Sequence, residues 1–416
     1  MIRFFFAAAL VAFVCAKDVY NPSLKGMQGI SITYENEEQL AFVLQYEGVL
    51  GFDFMKVTRL ANDNIHVLVT AFQVPIFKKA LENHGIKYNV FIEDFGKLVE
   101  EESISQEIAR VAAHRSKARR TYNFSYFPRH KEINNYLVDL SKTNENVTVF
   151  SIGKSYEGRE MLGVKISSGG SNDKPAVLID AGIHAREWIA PTTALYAISK
   201  LVNEKSLYEK IDWYILPQIN PDGYEYSHTE YRLWRKTRSP SELSYCPGVD
   251  ANRNFGFKWM EVGASDYPCD EIYAGSEAFS EVEAQNVRDF VLSKNGTIKT
   301  YLTFHSYGQY LLHPWGYTSD LPENEPVLRS VAVKAEKALA AVQGTRYTIG
   351  SSTNVLYAAA GGSDDWVMAV GGADLSYTVE LPGNSFVIPA RRIKPVGEET
   401  FEAIKVFGEY TSENYA

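Results

Sequence analysis

Pro175-Ala176-Val177-Leu178-Ile179-Asp180-Ala181-Gly182-Ile183-His184-Ala185-Arg186-Glu187-Trp188 is the segment from which the architecture of this 416-residue chain can be worked out. It begins with a short apolar run bounded by Pro and Gly, which predicts a buried parallel strand. Residues 188–202 predict the helix that follows. His184 and Glu187 therefore lie just past the carboxyl end of a strand, where open α/β sheets bind their ligands.

Two other strand-like runs are followed by a residue with an imidazole or a carboxylate, as in the first segment. Residues 300–304 run into His305, and residues 375–379 run into Glu380. Two imidazoles and a carboxylate leave one tetrahedral position of a zinc ion open for water, and a second carboxylate can act on that water as a base. Each residue alone is commonly a core histidine or a helix-end glutamate. Together they predict a hydrolytic zinc centre at one edge of a sheet.

Composition narrows the class of protein. The length favours two folded units, and 45% hydrophobic residues is ordinary for a folded chain. The net charge of −9 argues against nucleic acid and against an anionic membrane surface as partners. We expect a monomer by default.

The amino terminus predicts export. Residues 1–16 have a basic start, a short apolar core and small residues at the expected cleavage position, as in a secretory signal peptide. Cys15 leaves with that segment, and an oxidising compartment would pair Cys246 with Cys269. Three N-glycosylation sequons, at Asn123, Asn146 and Asn295, are consistent with a secreted, extracellular protein.

A small domain is expected before the catalytic one. Residues 29–92 follow the order strand, helix, strand, strand, helix, strand, which predicts an α+β, ferredoxin-like propiece. A charged helical segment, residues 98–118, leads into a basic cluster that a trypsin-like protease would cut after Arg120, with Arg115 or Arg119 as alternatives. These limits predict a propeptide over 17–120 and an α/β catalytic domain over 121–416.

Further residues suit the recognition of a peptide carboxylate. Asn252 and Arg253 place an amide beside a guanidinium, a pair that can hold a carboxylate by directed hydrogen bonds. Arg235 supplies another guanidinium. Tyr357 precedes the small residues 358–362, which would let a loop move. Each has an ordinary explanation alone, as a surface Arg, a capping Asn or a loop Tyr.

With these residues in view, the chain resembles the secreted zinc metallocarboxypeptidases of the carboxypeptidase A/B family over essentially its whole length. The motifs that carry the resemblance are His184-Ala185-Arg186-Glu187-Trp188, Asn220-Pro221-Asp222-Gly223-Tyr224, Arg232-Leu233-Trp234-Arg235-Lys236-Thr237-Arg238, Asp250-Ala251-Asn252-Arg253-Asn254, His305-Ser306-Tyr307, Gly361-Gly362-Ser363-Asp364-Asp365-Trp366 and Glu380. The resemblance implies a mixed eight-stranded sheet packed between helices and one Zn²⁺ per chain.

The resemblance also implies a role for each matching residue. His184, Glu187 and His305 would bind zinc, and Asp250 would orient His184.

Glu380 would be the general base, and Arg235 would stabilise the oxyanion. Asn252 and Arg253 would grip the terminal carboxylate of the substrate, and Tyr357 would close over it. Arg186 and Tyr307 would line outer subsites.

The resemblance also implies that specificity would depend on Asp364, which matches the main specificity position of the family. A carboxylate there would pair with Lys or Arg. The same resemblance implies that Ser352 and Gly316 line this pocket, and both are small enough to admit a long side chain. The alternative is that Asp364 caps a helix beginning near Trp366. We therefore expect carboxypeptidase B-like release of Lys or Arg, with carboxypeptidase A-like activity as the alternative.

The sequence gives less support to other classes of function. A non-catalytic peptide-binding relative would not need Glu380 and Arg235, and a serine hydrolase would need a Gly-x-Ser-x-Gly motif that the sequence lacks. The expected partners are peptide or protein C-termini as substrate and a trypsin-like activating protease.

Overall fold

The computed structural model describes residues 22–60, 63–115, 122–170, 174–242 and 244–416. The expected signal peptide, Arg119 and Arg120 lie outside these residues. The described chain divides into two compact units, one with the residues up to Ile104 and the segments Pro240–Pro247 and Pro268–Asp270, the other with Ser105–Ser239, Gly248–Tyr267 and Glu271–Ala416.

The first unit contains a four-stranded antiparallel sheet in the order β2-β3-β1-β4. Its elements are β1 (Gln28–Thr33), α1 (Glu37–Leu44), β2 (Phe52–Lys56), β3 (Ile65–Val69), α2 (Val74–Asn83) and β4 (Lys87–Ile92). Alternate residues of β1 and β3 pack with Phe77 and Leu81 of α2 in one core. The element order is the one expected for the ferredoxin-like propiece.

One long helix, α3 (Phe95–Arg115), runs across the boundary between the two units. The sequence predicted a helix over 98–118. The helix begins three residues earlier than that prediction, and residues 116–121 lie outside the described chain.

The first unit also holds the expected disulfide. Cys246 and Cys269 are joined, with their Cα atoms 5.0 Å apart. They are 23 residues apart in sequence. Closing a loop of this length stabilises a fold by roughly 3 kcal/mol on the chain-entropy account.

The second unit is built on a mixed eight-stranded sheet in the order β11-β10-β12-β9-β7-β8-β6-β5. The four strands β12, β9, β7 and β8 are parallel to one another. The strand next to them on each side runs in the opposite direction: β10 is antiparallel to β12, and β6 is antiparallel to β8. The strands are β5 (Val147–Lys154), β6 (Glu160–Ile166), β7 (Ala176–Ala181), β8 (Asp212–Leu216), β9 (Ile298–Ser306), β10 (Tyr310–His313), β11 (Thr348–Ser351) and β12 (Leu375–Leu381).

Helices cover both faces of this sheet. They are α4 (His130–Thr143), α5 (Ile189–Leu201), α6 (Pro221–Thr229), α7 (Val282–Leu292), α8 (Glu325–Gln343), α9 (Ser352–Val355), α10 (Ser363–Ala369) and α11 (Ile393–Tyr415). Val177 and Ile179 point into one core with α5, α8 and α11, whereas Ala176 and Leu178 point into the other with α7 and α10. A strand buried on both faces reads as a continuous apolar run, which is why the sequence could predict β7.

Within the described residues, no helix combines the length and apolar character needed to cross a membrane.

Candidate active site

His184, Glu187 and His305 converge at the carboxyl ends of β7 and β9. Nδ1 of His184 lies 2.9 Å from Glu187 Oε1, and Nδ1 of His305 lies 3.3 Å from Glu187 Oε2. The two Nδ1 atoms are 3.1 Å apart, and all three side chains are buried. The turn after β7 makes this possible through Gly182, whose φ of +76° and contact with Gln218 leave no room for a Cβ atom.

The Nε2 atom of each imidazole, which points away from the cluster, lies within hydrogen-bonding distance of another side chain. Nε2 of His184 lies 3.2 Å from Asp250 Oδ1, and Nε2 of His305 lies 3.2 Å from Thr303 Oγ1. Ser306 donates its backbone N–H to Glu187 Oε2 at 3.0 Å. Both rings are therefore oriented with Nδ1 toward the cluster.

This donor set suits a zinc ion. One atom from each of the three residues can be chosen so that all lie within 4.8 Å of one another. Two imidazole nitrogens and a carboxylate, with room for a fourth ligand, form the usual donor set of hydrolytic zinc. Burial raises the pKa of Glu187, but His184 and His305 outweigh it and hold that pKa below its usual range.

Asp250 links His184 to Arg235. Its Oδ2 accepts hydrogen bonds from Arg235 Nη2 at 2.8 Å and Nε at 3.2 Å. Burial raises the pKa of Asp250, but Arg235, His184 and Arg253 hold it well below its usual range. The carboxylate is therefore charged, and it fixes an imidazole with one oxygen and a guanidinium with the other.

Glu380 lies beside His305 on the neighbouring strand. The two residues are register partners between β12 and β9, and Glu380 is half-buried where its neighbours Val379 and Leu381 are fully buried. The sequence placed Glu380 at the end of a strand, and β12 in fact continues to Leu381.

Asn252 and Arg253 lie in the short 3₁₀ turn Ala251–Arg253, which follows Asp250. Asn252 Oδ1 accepts a hydrogen bond from Ser363 N at 3.0 Å, so its amide nitrogen is the donor that remains. Arg253 donates from Nε to Gly263 O at 2.8 Å and from Nη1 to its neighbour Asn252 O at 2.9 Å, and Nη2 takes part in neither bond.

The other expected binding residues lie around this centre. Tyr357 is 36% exposed, and its ring centroid lies 6.0 Å from the Arg253 guanidinium carbon.

Arg186 and Tyr307 are both buried against Phe386. The Arg186 guanidinium carbon lies 4.2 Å from the Phe386 ring centroid, and the Tyr307 ring centroid lies 5.3 Å from it.

Asp364 is buried in the first turn of α10. Its Oδ2 accepts a hydrogen bond from Thr378 Oγ1 at 3.0 Å. The alternative in which Asp364 caps a helix starting near Trp366 is wrong, because α10 begins at Ser363 and its N-cap is Gly362. An extended Gly362 lets the helix start early, and carboxylates in a first turn are favoured by the helix dipole.

Asp365 is directed elsewhere. Its two oxygens accept hydrogen bonds from Gly316 N at 2.9 Å and from Tyr317 N at 3.2 Å. Burial and the adjacent Asp364 raise the pKa of Asp365, and the backbone donors oppose that rise. The two adjacent carboxyl groups thus have separate surroundings.

Two residues that sequence reasoning assigned no role also hold the site. Arg232 donates from Nη1 to Arg186 O at 2.8 Å and from Nη2 to Phe386 O at 2.7 Å. Its signal was present, since it belongs to a matching motif. Thr378 holds Asp364, and its signal was its position two residues before Glu380 on the same face of a strand.

Comparison with known proteins agrees with this geometry. Residues 133–403 match the family model described as zinc carboxypeptidase, and residues 30–102 match the one described as carboxypeptidase activation peptide. A carboxypeptidase B of Astacus astacus is 52% identical over 68% of this chain and 97% of its own length. A zinc carboxypeptidase A 1 of Drosophila melanogaster is 38% identical over 90% of this chain and 89% of its own.

A solved structure shows the same fold. The carboxypeptidase A of Helicoverpa armigera superposes with a TM-score of 0.87 at 32% identity and covers 94% of this chain and 98% of its own. The mixed eight-stranded sheet and the preceding propeptide domain are thereby confirmed. The enzyme takes Zn²⁺ as its cofactor, and the buried His–Glu–His cluster has the donors to hold it. The chain belongs to the zinc carboxypeptidase family, as a metallocarboxypeptidase zymogen of the A/B type with its activation peptide.

Proposed function

We propose that this zymogen is secreted and that, once its propeptide is removed, it releases Lys or Arg from the C-terminus of peptides. The proposed segments are a signal peptide over 1–16, a propeptide over 17–120 and a catalytic domain over 121–416. The observation that carries the specificity is the buried carboxylate of Asp364.

The surroundings of Asp364 favour a cationic side chain. Both oxygens of Asp365 accept hydrogen bonds from backbone N–H groups, whereas Oδ2 of Asp364 accepts one from the Thr378 hydroxyl. A buried carboxylate is stabilised by a substrate ammonium or guanidinium, and an apolar substrate would leave its charge unpaired.

The relatives support both the proposal and its alternative. The Astacus relative is named carboxypeptidase B, and the Drosophila relative and the Helicoverpa structure are named carboxypeptidase A. The identity is higher to the B-type relative, which agrees with the Asp364 argument.

The proposed ligands of zinc are His184, Glu187 and His305, with Asp250 holding His184. When bound, the ion supplies Lewis acidity that activates water and polarises a carbonyl group. Glu380 takes a proton from the attacking water and passes it to the leaving amine.

The remaining residues bind and orient the substrate. Arg235 donates to the scissile carbonyl oxygen as negative charge develops there. Asn252 and Arg253 bind the terminal carboxylate, so the enzyme removes one residue at a time. Tyr357 closes over the substrate, while Arg186 and Tyr307 line subsites further along the peptide.

Activation follows from the propeptide and the basic cluster. We propose that a trypsin-like protease cuts after Arg120, and that Arg115, the exposed end of α3, is an alternative site. The protein is expected to act as a secreted monomer on peptide or protein C-termini.

The test is kcat/KM on matched blocked dipeptides ending in Arg, Lys, Phe and Leu, after trypsin treatment, with and without a chelator. We expect the Arg and Lys substrates to be preferred and all activity to be lost with chelator. A preference for Phe or Leu that chelator abolishes would support the carboxypeptidase A-like alternative. Activity that survives thorough chelation would contradict the zinc mechanism.

A further inference from the structure

Beneath the ligand cluster, a row of polar side chains crosses the sheet. Asp180 of β7 and Thr378 of β12 are both register partners of Thr303 of β9. Side chains of register partners in parallel strands point to the same face. Thr303 and His305 also share a face, because they are two residues apart on one strand. The face that carries the ligand thus carries a polar row one layer below it.

Thr303 is the acceptor available to the outer nitrogen of His305. An imidazole that binds a metal through Nδ1 carries its proton on Nε2, and that proton needs an acceptor. Nε2 of His305 lies 3.2 Å from Thr303 Oγ1, and Thr303 is completely buried. Once Oγ1 accepts from His305, the hydroxyl proton of Thr303 must be donated elsewhere.

Asp180 provides that second acceptor. It is completely buried and lies opposite Thr303. Its Oδ2 accepts a hydrogen bond from Tyr301 at 2.5 Å, whereas its Oδ1 is buried and has no hydrogen-bond partner within the described residues. Burial raises the pKa of Asp180 to about 6, and the hydrogen bond from Tyr301 opposes that rise.

We propose that Thr303 and Asp180 are positioning residues for His305. The proposed series of hydrogen bonds runs from Nε2–H of His305 to Oγ1 of Thr303 and from the Thr303 hydroxyl to the Asp180 carboxylate. It is the counterpart of the direct bond between His184 and Asp250, with one hydroxyl inserted. Outer partners of this kind fix the ring and its tautomer, and their loss weakens metal binding about 10- to 100-fold.

This inference rests on the proposed role of His305 as a zinc ligand. The test is therefore the zinc dissociation constant of the full chain, measured by competition with a chromophoric chelator. The variants are Thr303→Val, which removes the hydroxyl at constant shape, and Thr303→Ser, which keeps it. Asp180→Asn tests the second acceptor.

The chain offers a matched control. Thr300 lies on the same strand, is completely buried and shares a hydrogen bond at 2.7 Å with Thr411. It is an odd number of residues from His305, so it faces the other side of the sheet. Thr300→Val makes the same chemical change away from the ligand.

We expect Thr303→Val to bind zinc at least about tenfold more weakly than Thr300→Val, and Thr303→Ser to recover most of that loss. Asp180→Asn should fall between Thr303→Val and the unsubstituted protein. A structural role alone would lower the melting temperature of the zinc-free protein and leave zinc affinity unchanged. Equal zinc affinity in Thr303→Val and Thr300→Val would overturn the proposal.

Asp180→Asn and His305→Ala cover two other cases, a Thr303 variant that does not fold and a wrong assignment of His305 as a ligand. If Thr303→Val does not fold, unchanged affinity in Asp180→Asn overturns the proposal, and weakened affinity supports it. His305→Ala separates the inference from the proposed ligand set. Zinc binding that survives His305→Ala would contradict the ligand assignment itself, whereas a Thr303 result is meaningful only when that binding is lost.

Discussion

Asp250 accepts two hydrogen bonds from the guanidinium of Arg235, at 2.8 and 3.2 Å. Its other oxygen lies 3.2 Å from His184 Nε2. One buried carboxylate therefore orients a proposed zinc ligand and the proposed oxyanion donor together. Changes at Asp250 should affect metal binding and catalysis at once.

Asp250→Asn is expected to weaken zinc binding about 10- to 100-fold and to lower kcat as well, because the charge that holds both partners is lost. The measurement is chelator competition together with kcat at saturating zinc. Asp222→Asn is a suitable control, since Asp222 is also buried but does not belong to the ligand cluster. Its Oδ1 lies 2.7 Å from Arg159 Nη1. A zinc affinity as low in the control as in Asp250→Asn would contradict the prediction.

Glu380→Gln is expected to reduce kcat about 10²- to 10⁴-fold while the protein still binds one zinc ion, because an amide cannot take a proton from water. The comparison is with Glu336→Gln, which removes a buried carboxylate that pairs with Arg346 on another part of the fold. Turnover after trypsin treatment and metal content by atomic absorption would be measured on both. Normal turnover in Glu380→Gln would exclude it as the base.

The local features of the site could be read from the sequence. His184, His305 and Glu380 each follow or end an apolar run, so their meeting at one sheet edge follows from the general rule for parallel strands. The cysteine pair likewise followed from export and from the number of cysteines. These inferences needed only the order of residues along each segment.

Contacts that depend on register between strands could not be read in this way. Thr378 meets Asp364, and Thr303 meets Asp180, only because β12, β9 and β7 align at those residues. A shift of one residue would turn each hydroxyl to the other face. The start of α10 was missed for a related reason, since the conformation of Gly362 sets it and adjacent aspartates alone do not.

Thr378→Val tests how Asp364 is held. Removing a hydrogen bond to a charged group costs about 1.5–3 kcal/mol, so we expect kcat/KM for an Arg-terminated dipeptide to fall about tenfold or more. Asp364→Asn should lower it further. A Phe-terminated dipeptide is the internal control, because it makes no ion pair in the pocket. Equal losses on both substrates would show that Thr378 does not act through substrate charge.

Glu283 gives the catalytic unit a predicted pH dependence. Burial raises its pKa from 4.5 to about 7, partly opposed by the hydrogen bond from Tyr156 N at 2.9 Å. The folded protein then binds more protons than the unfolded chain between those values, so stability falls as pH rises from 4.5 to 7, by up to about 3 kcal/mol.

Glu283→Gln should remove that part of the pH dependence, because the amide can still accept from Tyr156 and does not ionise. Urea unfolding at pH 5 and pH 7, followed by tryptophan fluorescence, would measure it. An identical change with pH in both proteins would contradict the assignment to Glu283.

His66 gives the propeptide the opposite dependence. Burial and the nearby Lys56 lower its pKa from 6.5 to about 4, with Asp63 opposing them, and its ring lies 4.6 Å from that of Phe91. The unfolded chain then binds more protons between those values, so the stability of this unit falls as pH drops from 6.5 to 4. The loss is on the order of 1–3 kcal/mol.

Hydrogen exchange of the full zymogen would localise the effect. After correction for intrinsic rates, the β3 amides of residues 65–69 should lose protection between pH 7 and pH 5, and His66→Gln should reduce that loss. The β7 amides of residues 176–181 serve as the internal reference, because they belong to the other unit. If β3 and β7 lose protection in parallel, the acid sensitivity does not originate at His66.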